Sequence, residues 1–552
     1  MYRKFNSYNL NINNGELNGL RRCNIHEKGL RLVRELTWFD VLLWVIAGPA
    51  ASGMTYYTVK FPGLYPGGDI TFAFFLGGLL WTPIALLLAA FASSFPRTGA
   101  PYLVISRATH VTLGYIPIWL YAIGGGSALA SGFLFYLSII PLSSGFAAAG
   151  IITHNTYFSG IANYLSDPVG FLSLGFIMVI VLWIIEYIGI KSLKWVMRII
   201  VILPLILTIF VIIVFFIAGP SGAQSAWNST FGQGTYQKIL QAAPANGLTY
   251  MNFGAATTGL LLIVLWAYSG LEGISFVGNE VKTPKTSFMR GYVYGLIAVI
   301  IIYMLNGWSV SYAFGYKFIE DCSFLYYNSS SSYGALQSIL GVTPAAPTVP
   351  FYASIILGNP YVAIILGFAY WLWYVNTIIV IWTAGVRGLF AMAFDRMIPT
   401  RFANINKRGS PTWANHFIGI FALFGVILGL MDYYSMTLAS SVLALMDFTC
   451  LFFIWPLGLA GMLLPYTRPD LFEKSTFQYK IGGVPVMTIL GTLTFAVGWY
   501  VMIMTATEED IMAEILNIIL VTVGLLLLAY MWAKNQREGI DPNKIFTEIP
   551  LA

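Results

Sequence analysis

The chain holds 552 residues, 58% of them hydrophobic and only 9% charged. Soluble domains carry about 25% charged residues, so this composition excludes a soluble enzyme or binding module. The formal net charge of +6 forms no basic stripe with interleaved aromatics, which excludes nucleic acid as a partner.

A membrane-crossing helix needs about 20 mostly apolar residues. Twelve such stretches are predicted, at roughly 38–58, 70–93, 111–138, 168–188, 195–218, 254–278, 291–314, 358–385, 412–431, 437–463, 484–504 and 512–533. These runs are too long and continuous for barrel strands, which alternate. The expectation is an all-α integral membrane protein with twelve transmembrane helices. One transmembrane domain is expected over 37–534, flanked by tails at 1–36 and 535–552. Lysine and arginine collect on the cytoplasmic side of membrane proteins. With the N-terminus inside, all but Lys60, Lys238 and Lys317 of the 29 basic residues fall inside, which predicts that both termini are cytoplasmic. The first 36 residues have no apolar signal core, so helix 1 itself is expected to target the chain to the plasma membrane. Cys23, Cys322 and Cys450 lie far apart, and no disulfide framework is expected. The stretches 139–167, 219–253 and 315–357, rich in Ser, Gly, Asn, Tyr and Pro, read as lids or surface loops.

Two of the predicted helices break in their middles. Helix 1 reads GPAASGM from Gly48 to Met54, and helix 6 reads WAYSGLEG from Trp266 to Gly273. Hydrocarbon cannot satisfy the backbone groups such breaks release, so breaks survive where they line a cavity or a ligand site. Paired breaks in two halves of a chain point to a transporter's binding site. Breaks in helices 1 and 6 imply repeats of five helices. Five is odd, so the second repeat is inverted. The predicted fold is a five-plus-five inverted repeat with broken helices 1 and 6, plus two C-terminal helices. Free amides near Ser52 and Gly53 suit a carboxylate. Carbonyls from Trp266 to Ser269 suit an ammonium group, and Trp266 and Tyr268 could close over it or supply cation–π contact. A kink that only shapes packing is the competing reading.

Four motifs carry a resemblance. ASGM at 51–54 resembles a Gly-Ser/Thr-Gly-Ile/Val turn, with Ala51 in place of the first glycine. WAYSGLEGISFVGNEVKTPKTSF at 266–288 resembles a helix 6 signature with Gly-Phe-Glu and Glu-Val-Lys-Asn-Pro elements. FPRTGAPYLVISRA at 95–108 and VRGLFAMAFDRMIP at 386–399 resemble the segments that join helices 2 and 3 and follow helix 8. Together they resemble an amino acid permease of the amino acid–polyamine–organocation (APC) superfamily. The resemblance implies that Ser52 and Gly53 hold a substrate carboxylate, and that carbonyls near Pro49, Ala50, Trp266 and Ser269 hold its amino group. It also implies alternating access. The candidate substrate site is Pro49, Ala50, Ala51, Ser52, Gly53, Trp266, Ala267, Tyr268, Ser269 and Gly270.

Glu272 and Asp447 lie deep in predicted spans, where a charge costs about 3 kcal/mol or more and is usually functional. Glu272 matches the family's helix 6 glutamate, which implies proton-sensitive gating or coupling. Asp447 is open between cation binding, proton carriage and helix capping. Thr377 and Thr383 on helix 8 are candidates for sodium coupling. No cofactor or metal cluster is expected, and the coupling ion is either a proton or sodium. No lysine stands near Ile200–Ile202 in helix 5. An acidic cavity without basic partners favours cationic or neutral substrates. Glu186 and Asp40 are expected to snorkel or to pair with Lys191 or Arg34. Gly124-Gly125-Gly126 is expected to permit close helix packing. The reading is an amino acid transporter, ion-coupled or exchanging, in the lipid bilayer. A polyamine or organocation permease and an amino-acid-binding sensor are the alternatives; no catalytic constellation suggests an enzyme.

Overall fold

The computed structural model describes residues 34–508 and 510–547, without the side chains of Ser52 and Glu508. Most of the predicted N-terminal tail, Cys23, and the last five residues lie outside the described residues. The chain opens with α1 (Trp38–Gly53) and α2 (Tyr57–Lys60), then α3 (Ile70–Ser94), α4 (Ala100–Ala108), α5 (Val111–Ile123) and α6 (Ala128–Thr153). Next come α7 (Thr156–Ser166), α8 (Pro168–Ile188), α9 (Ile190–Phe231), α10 (Thr235–Ala245) and α11 (Phe253–Ala267). After them follow α12 (Pro284–Phe314), α13 (Tyr316–Tyr327), α14 (Ser330–Leu340), α15 (Val349–Leu357) and α16 (Pro360–Phe394). The remainder is α17 (Thr412–Tyr433), α18 (Thr437–Leu451), α19 (Ile454–Thr467), α20 (Pro469–Phe472), α21 (Val486–Glu508), α22 (Ile511–Arg537) and α23 (Pro542–Ile545). A short hairpin, β1 (Lys480–Ile481) with β2 (Val484–Pro485), precedes α21.

Eleven helical segments among the described residues are long and apolar enough to cross a membrane, and α1 contributes a shorter apolar helix over Trp38–Ala51. Local sequence sets their ends. Asp69 accepts from the amides of Thr71 and Phe72 at the start of α3 (2.8 and 3.1 Å). Asn359 does the same for α16, with Pro360 in the first helical position, where its missing N–H costs nothing. The bundle is apolar outside as well as inside. Ile177, Ile180 and Ile184 on α8, and Ile518 and Leu526 on α22, are exposed, as lipid-facing surfaces must be. The helix α16 lies at the centre, 72% buried over its apolar window, whereas α22 is 22% buried at the rim.

Small residues set the central spacings. A Cβ on Gly132 of α6 would lie 1.9 Å from the Ala422 carbonyl of α17, and one on Gly425 would lie 2.1 Å from the Leu129 carbonyl. Backbones this close gain dispersion contact in a medium that gives no hydrophobic drive between helices.

Three sequence readings need correction. The stretches 139–167, 219–253 and 315–357 are largely helical rather than loops, because their apolar positions pack on the bundle. The third predicted helix continues to Thr153 and is interrupted between Ile123 and Ala128. Gly125 there does pack closely: its amide donates to Thr449 Oγ1 at 2.9 Å, and a Cβ would lie 1.8 Å from the Met446 carbonyl. The fifth helix runs on through a kink at Gly219, which precedes Pro220.

On the face opposite the chain termini, α13 closes over the α2–α3 connection. Glu320 accepts from the Gly67 amide at 2.8 Å, and Asp321 accepts from the Tyr250 hydroxyl. Burial pushes the Glu320 carboxyl up to about 7 and the Asp321 carboxyl up to about 6. A carboxyl raised by folding stabilises the fold below its ordinary range and loses that contribution as pH rises through the folded value. The apparent unfolding temperature of the purified protein is therefore expected to fall between about pH 5 and pH 8. Glu320→Gln should flatten that slope; an unchanged slope would show that Glu320 does not titrate as described.

Candidate functional site

The two predicted breaks meet in space. A Cβ on Gly48 would lie 2.2 Å from the Gly270 carbonyl oxygen, and Gly270, at φ +98°, would place one 2.4 Å from the Gly48 oxygen. Only two glycines permit this contact. On the helix 6 side the break stands where the sequence puts it: α11 ends at Ala267, and a 3₁₀ segment resumes at Leu271. On the helix 1 side the helix continues to Gly53, and the turn falls at Met54–Tyr56, beginning on the last residue of the predicted stretch.

Pro49 and Thr377 explain that shift. Pro49 removes one rung of the ladder by lacking an amide. The Thr377 hydroxyl, from α16, enters the ladder: it accepts from the Ala51 amide at 3.0 Å and donates to the Ala47 carbonyl at 2.8 Å or to its own Trp373 carbonyl at 3.0 Å. The released carbonyls are satisfied by side chains. The Tyr303 hydroxyl of α12 is 2.5 Å from the Pro49 oxygen and 2.9 Å from the Ala267 oxygen. Thr58 donates to the Gly53 oxygen at 2.7 Å, Thr55 donates to the Ala51 oxygen at 2.5 Å, and Asn306 reaches the Met54 oxygen at 3.3 Å. Tyr374 of α16 joins Thr55 at 3.2 Å. Tyr303, Asn306, Tyr374 and Thr55 escaped the sequence reading. Their signal was a polar atom inside an apolar run, which alone does not say which backbone group it serves.

Beside the meeting point lies a cavity of about 270 Å³. Ala51, Trp266, Ser269, Gly270, Thr377 and Asp447 line it among the predicted residues. The others stand elsewhere. Pro49 and Ala267 share Tyr303, Ala50 is fully buried, and Gly53 packs on the Tyr303 ring. Tyr268 turns away from the cavity: its hydroxyl donates to the Phe74 carbonyl at 2.8 Å, and its ring packs 5.2 Å from that of Tyr303. Of Ser52 only the helical backbone is described. Glu272 is 1% exposed and sits behind the break, accepting from Tyr121 Oη at 2.8 Å and from the Gly270 amide at 2.9 Å. Thr383 is remote, donating to Glu186 at 3.2 Å. Asp447 faces the cavity near Cys450, which pairs with Ser269 at 2.9 Å.

The cavity is not without a base. Lys60 lines it, held over the rings of Tyr56, Phe61 and Tyr327 at 5.2, 5.4 and 5.3 Å. Burial lowers the pKa of its ammonium, while the charge of Asp432 opposes that fall. The expectation of an acidic cavity without basic partners is corrected accordingly.

The predicted edge charges have partners other than those expected. Asp40 pairs with Arg198 at 2.6 Å instead of Arg34. Glu186 pairs with Arg387 instead of Lys191, and Arg387 also reaches Glu280 at 3.1 Å. All three side chains are at most 3% exposed. This clasp ties α16 to α8 and to the segment that follows helix 6. Arg107 and Asp395 form a second buried pair, bidentate at 2.5 and 2.9 Å.

A family model for amino acid permeases matches residues 36–526. The chain belongs to the amino acid permease family. It is 22% identical over 489 residues to a chloroplastic cationic amino acid transporter 7 of Arabidopsis thaliana, covering 84% of this chain and 74% of that protein. It is 24% identical over 491 residues to a branched-chain amino acid permease of Bacillus subtilis, covering 85% and 87%. A serine/threonine exchanger of the same bacterium is 25% identical over 233 residues, 42% of this chain and 44% of that protein. This permease family member is a multi-pass membrane protein.

Removing Arg387 strands two buried carboxylates, at a cost of about 3–5 kcal/mol for a broken buried pair. Arg387→Met is expected to lower the apparent unfolding temperature clearly. Adding Glu186→Gln and Glu280→Gln should recover most of the loss. Equal stability of the single variant and the parent would refute the clasp.

Proposed function

We propose that this permease family member is a secondary transporter that moves amino acids across the plasma membrane by alternating access. The observation that carries the reading is the contact of two helix breaks at Gly48 and Gly270 beside a cavity of about 270 Å³. Breaks at bilayer depth persist where protein or a cavity satisfies them, and paired breaks mark the site of transporters. The cavity of about 270 Å³ lies just below the roughly 300–1,000 Å³ of pockets for drug-sized ligands, which suits one small molecule. The relatives' names give cationic, branched-chain and hydroxyl amino acids, and family membership alone does not choose among them.

In this reading α1 and the eleven longer segments make twelve spans. The two breaks begin two five-helix repeats of opposite orientation, and α21 and α22 follow as additions. The bias of lysine and arginine supports cytoplasmic termini. Transport is ion-coupled or runs by exchange. Glu272 is the proton-sensitive group of this reading, because it joins the helix 6 turn to α5 through the Gly270 amide and Tyr121. A proton on that carboxylate would weaken both bonds at the break. Sodium is the second ion to test, although the Thr377 hydroxyl already serves the α1 backbone.

The experiment is uptake of labelled amino acids by proteoliposomes of the purified protein, with imposed proton or sodium gradients and with preloaded amino acid. Uptake driven by a gradient or by preloading is expected. Glu272→Gln should shift the pH dependence of that uptake. An unchanged rate and pH profile would remove the coupling role from Glu272.

A further inference from the structure

Beyond α22 the chain turns back across the face that carries the termini. Asn535 pins the turn by donating to the Arg396 carbonyl at 3.1 Å, and Glu538 stands 3.6 Å from the Arg396 guanidinium. Residues 541–547, which include α23, then cross two arginines. A helix of one turn leaves the carbonyls at its end to other donors. Arg107 of α4 donates to the Ile545 carbonyl at 3.4 Å, and its guanidinium lies 4.9 Å from the centre of the Phe546 ring. Arg468, which follows α19, donates to the Thr547 carbonyl at 2.7 Å and to the Phe546 carbonyl at 3.5 Å. The Phe546 ring also stacks on Trp532 of α22, with ring centres 6.4 Å apart. Among residues 541–547 only Pro542 is buried, and a segment with few buried contacts opens at low cost.

The element held by this segment sits where helix 6 meets α16. The Gly99 amide, at the head of α4, donates to the Phe276 carbonyl of the resumed helix 6 at 2.8 Å, and Thr98 bridges Val277. Towards α16, a Cβ on Gly99 would run into Ala391, and Arg107 pairs with Asp395 just after that helix. Helix 6 and α16 both border the cavity, through Ser269, Gly270 and Thr377. In alternating access a solute leaves towards this face by a gap between elements that border the cavity. A gap between helix 6 and α16 displaces α4, and displacing α4 breaks the contacts of Arg107 with Ile545 and Phe546.

Resting on the transporter reading above, we propose that residues 541–547 are an autoinhibitory strap. Bound across Arg107 and Arg468, they hold the cytoplasmic end of the protein closed, and their release lets it open. The strap takes no part in recognising the solute. It sets how often the cavity opens to this face.

The test compares the purified full-length protein with three variants in proteoliposomes, at equal amounts of monodisperse protein, using labelled L-leucine, L-lysine and L-serine. Phe546→Ala removes the ring from Arg107 and Trp532, and Arg468→Gln removes the two bonds to the strap's carbonyls. Lys544→Gln alters an exposed side chain of the strap and leaves both ties in place. Phe546→Ala and Arg468→Gln are expected to raise the initial rate by about threefold or more, the scale of one lost contact of this kind. Lys544→Gln should leave the rate unchanged. A brace that only stabilises the fold would give the opposite sign, a lower unfolding temperature with an equal or lower rate. A rate for Arg468→Gln at or below that of the parent would overturn the strap and leave the transporter reading intact. That variant changes a side chain at the surface, so it decides the matter if Phe546→Ala does not fold. An equal gain in Lys544→Gln would also overturn the strap, because the gain would not come from the ties. No uptake by the parent or by any variant would overturn both readings.

Discussion

Backbone groups released inside a bilayer must find partners, and the centre of this protein is arranged around that requirement. An unpaired amide or carbonyl in hydrocarbon costs several kcal/mol. The carbonyls of Pro49, Ala51, Gly53, Met54 and Ala267 are served by Tyr303, Thr55, Thr58 and Asn306, and the Ala51 amide by Thr377. Two of these side chains come from α12 and one from α16. The polar ties therefore join α1, α11, α12 and α16 where apolar packing alone would allow the helices to slide. Bonds between membrane helices average about 0.6 kcal/mol each. Their sum is small beside the packing of the bundle, so their contribution is to register more than to stability.

The same requirement sorts the charges. Towards the face carrying the termini, buried charges are paired, as in Arg107 with Asp395 and Arg387 with Glu186 and Glu280. Such pairs add little net stability, because desolvation offsets the attraction. They do fix which helices lie together at that end. Within the cavity the arrangement differs. Lys60 rests on rings, and Asp432 and Asp447 face the space itself. Paired charge holds the frame, and Lys60, Asp432 and Asp447 set the polarity of the cavity wall.

Much of this was legible in the sequence. Segment lengths marked the spans, Gly270 marked the helix 6 turn, and the motifs marked the family. What escaped depended on partners distant in the chain. The helix 1 turn falls at Met54–Tyr56 because a threonine 326 residues away fills the opened rung at Ala51. No local pattern carries that information. Tyr268 looks like a lid in the sequence and instead anchors to Phe74, because the turn at Gly270 points its ring away from the cavity. Glu186 and Lys191 are close in sequence, yet Arg387 takes the carboxylate because α16 passes beside α8. Lys60 looked like a surface charge until α13 placed Tyr327 over it.

The contact between Gly48 and Gly270 differs in kind from the ties around it. It is steric, backbone against backbone, and admits no side chain on either residue. The Tyr303 hydroxyl beside it has one proton for two carbonyl oxygens, at 2.5 and 2.9 Å, so it can donate to only one of them at a time. Exchange between those acceptors needs no new partner. Thr377 is in the same position, with one proton for Ala47 and Trp373. A hard contact surrounded by hydrogen bonds that can change acceptor is what the proposed alternating access would require of two broken helices. Continuous helices would have to break rungs to make the same movement. In the proposed alternating access the breaks serve two ends at once: they border the cavity, and they spare the rungs that continuous helices would have to break.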